Sequence, residues 1–290
     1  MTAVENYEDW IGRGEEHQDL ISAGPLDRLS ATLDRDDPPF KDGDAVPPLG
    51  HWLYFLPRDR QSVLSSDGHP RRGGFLPPVE HLPRRMWAGS RLTFPGTLRV
   101  GMKAVRRSTI ASVKTKQGAS GELVFVTVRH EIGEPGGPAL VTDEHDIVYR
   151  GLEGPAAKTP PMSLQGVWQR SLVPDEVLLF RYSALTFNAH RIHYDRAYVT
   201  KEEGYPGLVV HGPLTATLMI DQLRRELPEA RIESFKFRAV SPAFDGAPLH
   251  LHGSPPSGDG TVELWTSNAE GGLVSTGSVV IGGATLAGDR

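Results

Sequence analysis

Hydrophobic spacing changes character along the chain. Within residues 8–35, Leu26, Leu29 and Leu33 recur at helical intervals behind Pro25, which predicts a helix over that stretch. From 86 to 150 the segments RMWAGSRLTFPG, VRRSTIASVKTKQG, ELVFVTVRHEI and LVTDEHDIVYR are rich in β-branched residues and bounded by Gly or Pro, so they read as strands. A second half opens with VLLFRYSAL and closes with four further strand-like segments, RIESFKFRAVSPAF, PLHLHGS, TVELWTSN and LVSTGSVVIGG. Between them a helix is predicted over 213–227. Pro213 suits a first helical turn, where its missing N–H costs nothing, and Pro228 stops the run. Leu214, Ala216, Leu218, Met219, Ile220 and Leu223 leave its first two turns little polar surface, so that part is expected to be buried. Asp221, Gln222, Arg224, Arg225 and Glu226 are expected to emerge near its end.

Residues 36–84 lack either periodicity and are broken by prolines from Pro38 to Pro78. They nevertheless carry Trp52, Leu53, Tyr54, Phe55, Leu56, Phe75 and Leu76, which favours a loop packed on the fold over a solvated linker. Residues 151–172 read as a linker, dividing the chain into 1–150 and 173–290. SRLTFPGTLRVG and ESFKFRAVSPAF occupy similar places in the two halves, an echo compatible with duplication.

Composition narrows the classes. The chain has 290 residues, with 32 Gly and 24 Pro, an excess that argues for turns and strands over a helical bundle. A net charge of −5 makes general binding to nucleic acid or an anionic membrane a poor fit. There is no cysteine, which removes disulfides, thiolate nucleophiles and zinc–thiolate sites and fits a reducing compartment. The start, MTAVENYEDW, has neither a basic n-region nor an apolar h-region, and no apolar run approaches a membrane span. A cytoplasmic location is the expectation. No Gly-rich phosphate loop or dinucleotide fingerprint is present, so no redox cofactor is expected.

The densest polar constellation lies just before the buried helix, in FRYSALTFNAHRIHYDRAYVTKEEGYPGLVVHGPL, residues 180–214. It holds Asn188, His190, His193, Asp195 and His211. Here TFNAHRIHYD followed by VVHGPLTATL resembles the MaoC-like hydratase/dehydratase family. With the upstream segments GGFLPP and PRRMWAG, it resembles the subgroup containing 3-methylfumaryl-CoA (mesaconyl-C4-CoA) hydratases, itaconyl-CoA hydratases and fungal-type 3-hydroxyacyl thioester dehydratases. The resemblance implies an α+β double hot-dog, two antiparallel sheets each wrapped around a central helix, the first unit degenerate. It implies reversible addition of water to a 2-enoyl-CoA, with no cofactor and no metal, and is compatible with a homodimer. A dehydratase acting on acyl carrier protein substrates and a non-catalytic acyl-thioester-binding module are the alternatives.

The family's histidine falls on His193 and its helix-start glycine on Gly212. Its aspartate position falls on Asn188 and its asparagine position on His190, two departures. An enoyl hydration needs a base for water and donors for the oxyanion that develops at the thioester carbonyl. A histidine supplies the first, and a helix N-terminus the second. Gly212 would let the acyl group approach the backbone. Asn188 cannot share proton work but can hold a water through its amide, leaving His193 to act alone or with Asp195 or His190. More ordinary roles compete: a turn for His190, backbone capping for Asp195 and a core-edge position for His211. Arg191, Arg84 and Arg85 are candidates for CoA phosphates or a substrate carboxylate. A rival pattern is His193-Tyr194-Asp195 with His250 or His252, the spacing of a two-histidine, one-carboxylate iron site. A hot-dog thioesterase would want a carboxylate on the central helix, where Asp221 lies too late.

Overall fold

The computed structural model describes residues 6–118, 121–151 and 166–282. Its elements run β1 (Gly14–Leu20), α1 (Ala23–Thr32), β2 (Arg84–Thr93), β3 (Lys103–Gly118), β4 (Gly121–Gly133) and β5 (Ala139–Arg150). They continue with β6 (Trp168–Leu172), α2 (Glu176–Thr186), α3 (Arg196–Lys201), α4 (Gly212–Glu226), β7 (Arg231–Ala239), β8 (Leu249–Gly253), β9 (Thr261–Ser267) and β10 (Leu273–Gly282). All ten strands join one antiparallel sheet, in the order β1-β3-β4-β5-β2-β7-β10-β9-β8-β6. Counting β6 to β10 as a second β1 to β5 reproduces the same order read from the other edge, so the strand plan occurs twice. The copies meet at β2 and β7, paired from Gly89↔Arg238 to Thr93↔Ser234. These are the two segments whose sequences echo each other. Residues 152–165 of the expected linker lie outside the described residues.

One expectation fails early in the chain. Residues 14–20 form strand β1 rather than helix. The segment GEEHQDL has no apolar stripe for a helix to bury, and it alternates exposed and half-buried positions at the sheet edge against β3. Helix formation waits for Ala23–Thr32, which buries Leu26 and Leu29. The loop 36–84 packs as expected. Leu53, Tyr54 and Phe55 join the main core, while Val79 and Leu82 cover a second cluster with Ile110, Val124, Val126 and Tyr149 on the first half of the sheet.

α4 is the centre of the second half. It contacts β8, β9, β10 and β2, and every residue from Leu214 to Leu223 is buried. Asp221 does not emerge as the sequence suggested; it is 1% exposed. Arg35 Nη1 at 2.8 Å, Arg170 Nη1 at 2.6 Å and Arg225 Nε at 2.9 Å surround its carboxylate. Two of those partners come from distant segments, so local periodicity could not reveal the pairing.

The inner face of the first half has a polar centre instead of a long helix. The buried Asp143 Oδ2 accepts from Trp52 Nε1 at 2.8 Å and His145 Nε2 at 2.7 Å, with His51 Nε2 at 3.3 Å. Burial would raise the pKa of this carboxyl, but the charge and hydrogen bonds of His145 and His51 more than offset it and hold it well below the usual range.

Candidate active site

α2 delivers the motif loop. Asp175 caps its start by accepting from Leu178 N–H at 2.8 Å, and Phe187 ends it in the left-handed region at φ 49°. The chain then reverses. Asn188 Oδ1 accepts the backbone N–H of His190 at 2.9 Å, an Asx turn that leads into a 3-10 turn at Arg191–His193. Asp195 caps α3 by accepting from Tyr198 N–H at 3.0 Å. The outgoing chain returns alongside, with Val209 N–H donating to Ile192 O at 3.0 Å, and α4 begins three residues later.

His193 is buried, at 7% exposure, and its Nδ1 lies 2.7 Å from the carbonyl of Val209. A carbonyl can only accept, so Nδ1 carries the proton and the neutral ring presents Nε2 as a lone-pair acceptor. Among the described residues nothing bonds to Nε2, and it is not one of the fully buried unpartnered atoms, so it keeps an opening. Burial lowers the pKa of His193 to about 4, partly opposed by the bond to Val209, so the ring is neutral at physiological pH.

His211 stacks on His193 with ring centroids 3.7 Å apart. Its Nε2 lies 2.9 Å from Ser183 Oγ, while its Nδ1 is buried without a partner. Burial, then the neighbouring His193, hold it well below its ordinary pKa. His211 is the N-cap residue of α4 but offers no side-chain cap. With proline at 213, the N–H groups of Gly212 and Leu214 have no hydrogen-bond partner among the described residues and are left as donors at the helix start. A Cβ on Gly212 would sit 2.8 Å from Cε3 of Trp87. The glycine therefore admits the Trp87 ring.

A second loop completes the site, and sequence reading missed it. Asp67 Oδ1 accepts from Ser65 Oγ at 2.5 Å and His69 N–H at 2.9 Å, and Asp67 Oδ2 lies 3.0 Å from His69 Nδ1. Arg191 N–H donates to Asp67 O at 2.9 Å, which docks this turn on the motif loop. Gly68, at φ +92°, is pressed so close to Ala189 O that a Cβ would lie 1.8 Å from it. The docking sets His69 at 4.1 Å from His190, ring to ring, and His190 at 5.5 Å from His193. The signal in the sequence was only Asp-Gly-His-Pro, an ordinary turn composition, over 100 residues from its partner.

The other candidates divide clearly. Asp195 also pairs with Arg191, whose Nη2 is 2.7 Å away, and Arg191 further donates to Ser66 O and lies over the ring of Tyr198. Arg84 donates to Glu203 O at 2.8 Å and stands over Tyr205. Both arginines already have partners. Arg85 has no acidic partner among the described residues. The rival iron pattern does not assemble: His250 lies 2.7 Å from Ser171 Oγ, and His252 lies 3.0 Å from Ser267 Oγ. The one group among the described residues with ligand atoms close enough for a metal is Asp67, His69 and His190, within 4.8 Å of one another. Arg85 and Arg72 both lie within electrostatic reach of His69, an environment that opposes a divalent cation.

A sheet that repeats its strand plan around one long buried helix, with a histidine beside that helix start, is the arrangement of a hot-dog hydro-lyase. The model of the family "Hydroxyacyl-thioester dehydratase type 2" matches residues 49–245, and the chain belongs to that family. Mesaconyl-C(4)-CoA hydratase of Chloroflexus aurantiacus is 46% identical over 277 residues, covering 94% of this chain and 97% of that protein. The mitochondrial hydroxyacyl-thioester dehydratase type 2 of Schizosaccharomyces pombe is 29% identical, covering 81% of this chain and 88% of its own. Among solved structures, a MaoC-like dehydratase from Phytophthora capsici superposes with a TM-score of 0.70 at 15% identity, over 97% of this chain and 99% of that one. A Mycobacterium tuberculosis protein described as a double hot-dog gives a TM-score of 0.60 at 12% identity, over 95% and 98%. The fold is thus the α+β double hot-dog. No helix among the described residues is long and apolar enough to cross a membrane.

Proposed function

We propose that this chain hydrates 3-methylfumaryl-CoA (mesaconyl-C4-CoA). The observation that carries the reading is His193, with Nδ1 fixed to Val209 and Nε2 free, beside the uncapped start of α4. The near full-length kinship to a mesaconyl-C4-CoA hydratase supports the choice of acyl group.

In the forward direction His193 Nε2 takes a proton from water as its oxygen bonds to the β-carbon of the enoyl thioester. The double-bond electrons move to the α-carbon and the thioester oxygen, and the N–H groups at the start of α4 meet the negative charge there. The imidazolium then returns its proton to the α-carbon. A neutral resting ring is the form this step requires, and burial of His193 favours it. Asn188 keeps its Oδ1 on the His190 backbone and has its amide NH₂ left to hold a water. Asp195, bound to Arg191 and to backbone, serves as a cap rather than as a second base. The hydroxyacyl-thioester dehydratase activity named for the fission-yeast relative is the same class of chemistry in reverse. Residues 1–150 are read as a degenerate supporting unit and 173–290 as the catalytic one; the repeated strand order supports two units but starts the second at β6, Trp168–Leu172, inside the expected linker. A cytoplasmic homodimer completes the proposal, its assembly testable by sedimentation.

The test is a panel of enoyl-CoA thioesters with loss of the conjugated double bond as the readout. Turnover of 3-methylfumaryl-CoA to its tertiary alcohol is expected. Absence of turnover on every enoyl thioester would overturn the reading.

A further inference from the structure

Arg85 stands out from the arginines around the site. Arg72 is held by the carbonyls of Val79, Leu82 and Pro83, Arg84 by Glu203, and Arg191 by Asp195. Arg85 is half-buried and, among the described residues, makes no ion pair. It lies on β2 directly opposite the buried Tyr149 of β5, with its guanidinium within electrostatic reach of the Tyr149 hydroxyl. Two residues further along the same strand, Trp87 packs against Gly212 at the start of α4. The same guanidinium lies within electrostatic reach of His69 and His190, the two rings that lead to His193. Asp67, the carboxylate in this neighbourhood, has both oxygens engaged by Ser65 and His69. A half-buried cation with no acidic partner is therefore left over beside the two rings, His69 and His190, that lead to His193. Such a group calls for an anion with two oxygens in a plane.

We propose that Arg85 is a substrate-binding residue that recognises a carboxylate carried on the β-carbon of the acyl group, selecting dicarboxylyl-CoA over plain enoyl-CoA. The placement matches the chemistry. In 3-methylfumaryl-CoA the carboxylate hangs on the carbon that receives the hydroxyl, so its receptor must stand beside the base. Pairing the carboxylate with Arg85 also offsets the negative charge that would otherwise oppose an electron-rich oxygen approaching that carbon.

The inference rests on the hydratase reading for its place in the reaction, but its test reads binding, so the two can fail separately. Calorimetry would compare succinyl-CoA and butyryl-CoA, which differ in a carboxylate or a methyl at the same position, with EDTA present throughout to exclude a bound cation. The wild-type protein should bind succinyl-CoA at least about 30-fold more tightly, the loss typical when one partner of a buried charge pair is missing. Arg85→Gln should abolish that preference and leave butyryl-CoA affinity within about threefold. Arg85→Lys, which keeps the charge but not the fork, should retain part of the preference and serves if the glutamine variant does not fold. Equal affinity of the wild-type protein for both ligands, or an unchanged preference in Arg85→Gln, overturns the inference. Intact preference without enoyl turnover would instead sink the hydratase reading.

Discussion

The two halves of the sheet share a strand plan, yet each treats its histidines differently. In the first half His51 and His145 bond one oxygen of the buried Asp143. His130, whose ring lies 4.8 Å from that of His145, is met by Ser108. There a carboxylate fixes two of the rings and ties the polar centre together. In the second half His193 and His211 stack face to face, and among the described residues no carboxylate bonds to either. One ring nitrogen of His193 is held by a neutral carbonyl and the other is left open. In the first half the rings share one buried carboxylate in a closed polar cluster, whereas His193 is anchored at one nitrogen beside a helix start and keeps the other for proton transfer.

Substitutions on the two sides should therefore fail differently. The largest effect is expected for His193→Ala: a fall in kcat of at least about 10³ with melting temperature nearly unchanged, since loss of an acid–base group typically removes 10²–10⁴. Near-wild-type turnover in a folded variant would erase the distinction between the halves. Asp143→Ala should do the reverse. It strands the donors of Trp52, His51 and His145, and denaturant unfolding should show a loss of about 2–4 kcal/mol, with kcat per folded molecule kept within about threefold.

The pH profile sharpens the contrast. His193 must be neutral to act, and burial holds its pKa at about 4. The acidic limb of kcat/KM should therefore lie near pH 4, with activity lost below it, rather than near the ordinary histidine value of about 6.5. A smaller change is expected at Asn188, whose oxygen shapes the turn while its amide is left to hold a water. Asn188→Ala should lower kcat about tenfold, the worth of one good hydrogen bond. A loss as large as that of His193→Ala would make it an equal partner in the chemistry.

What was legible in the chain was local. The segment FNAHRIHYD and the apolar helix behind it announce themselves because their residues are neighbours, and the strands carry their β-branched alternation with them. What depended on distant partners stayed hidden. Asp221 looked like a solvent-facing helix end until Arg35 and Arg170 arrived from elsewhere. Asp67 and His69 lay unremarked in the irregular stretch 36–84, because what gives them a place is Gly68 pressed against the distant Ala189. β1 looked helical because its pairing with β3 is invisible in its own seven residues. The contact of Trp87 with Gly212 was likewise invisible, because the two lie more than 100 residues apart.

In the proposed reaction a single imidazole, open only at Nε2, both takes the proton from water and returns it to the α-carbon from one side of the substrate. Hydration of 3-methylfumaryl-CoA in D₂O, with the relative configuration of the new hydroxyl and deuterium read by NMR, tests it most directly. One base working from one side must place both on the same face of the former double bond. Addition to opposite faces would require a second proton-transferring group across the substrate and would contradict the assignment of His193 as the sole base.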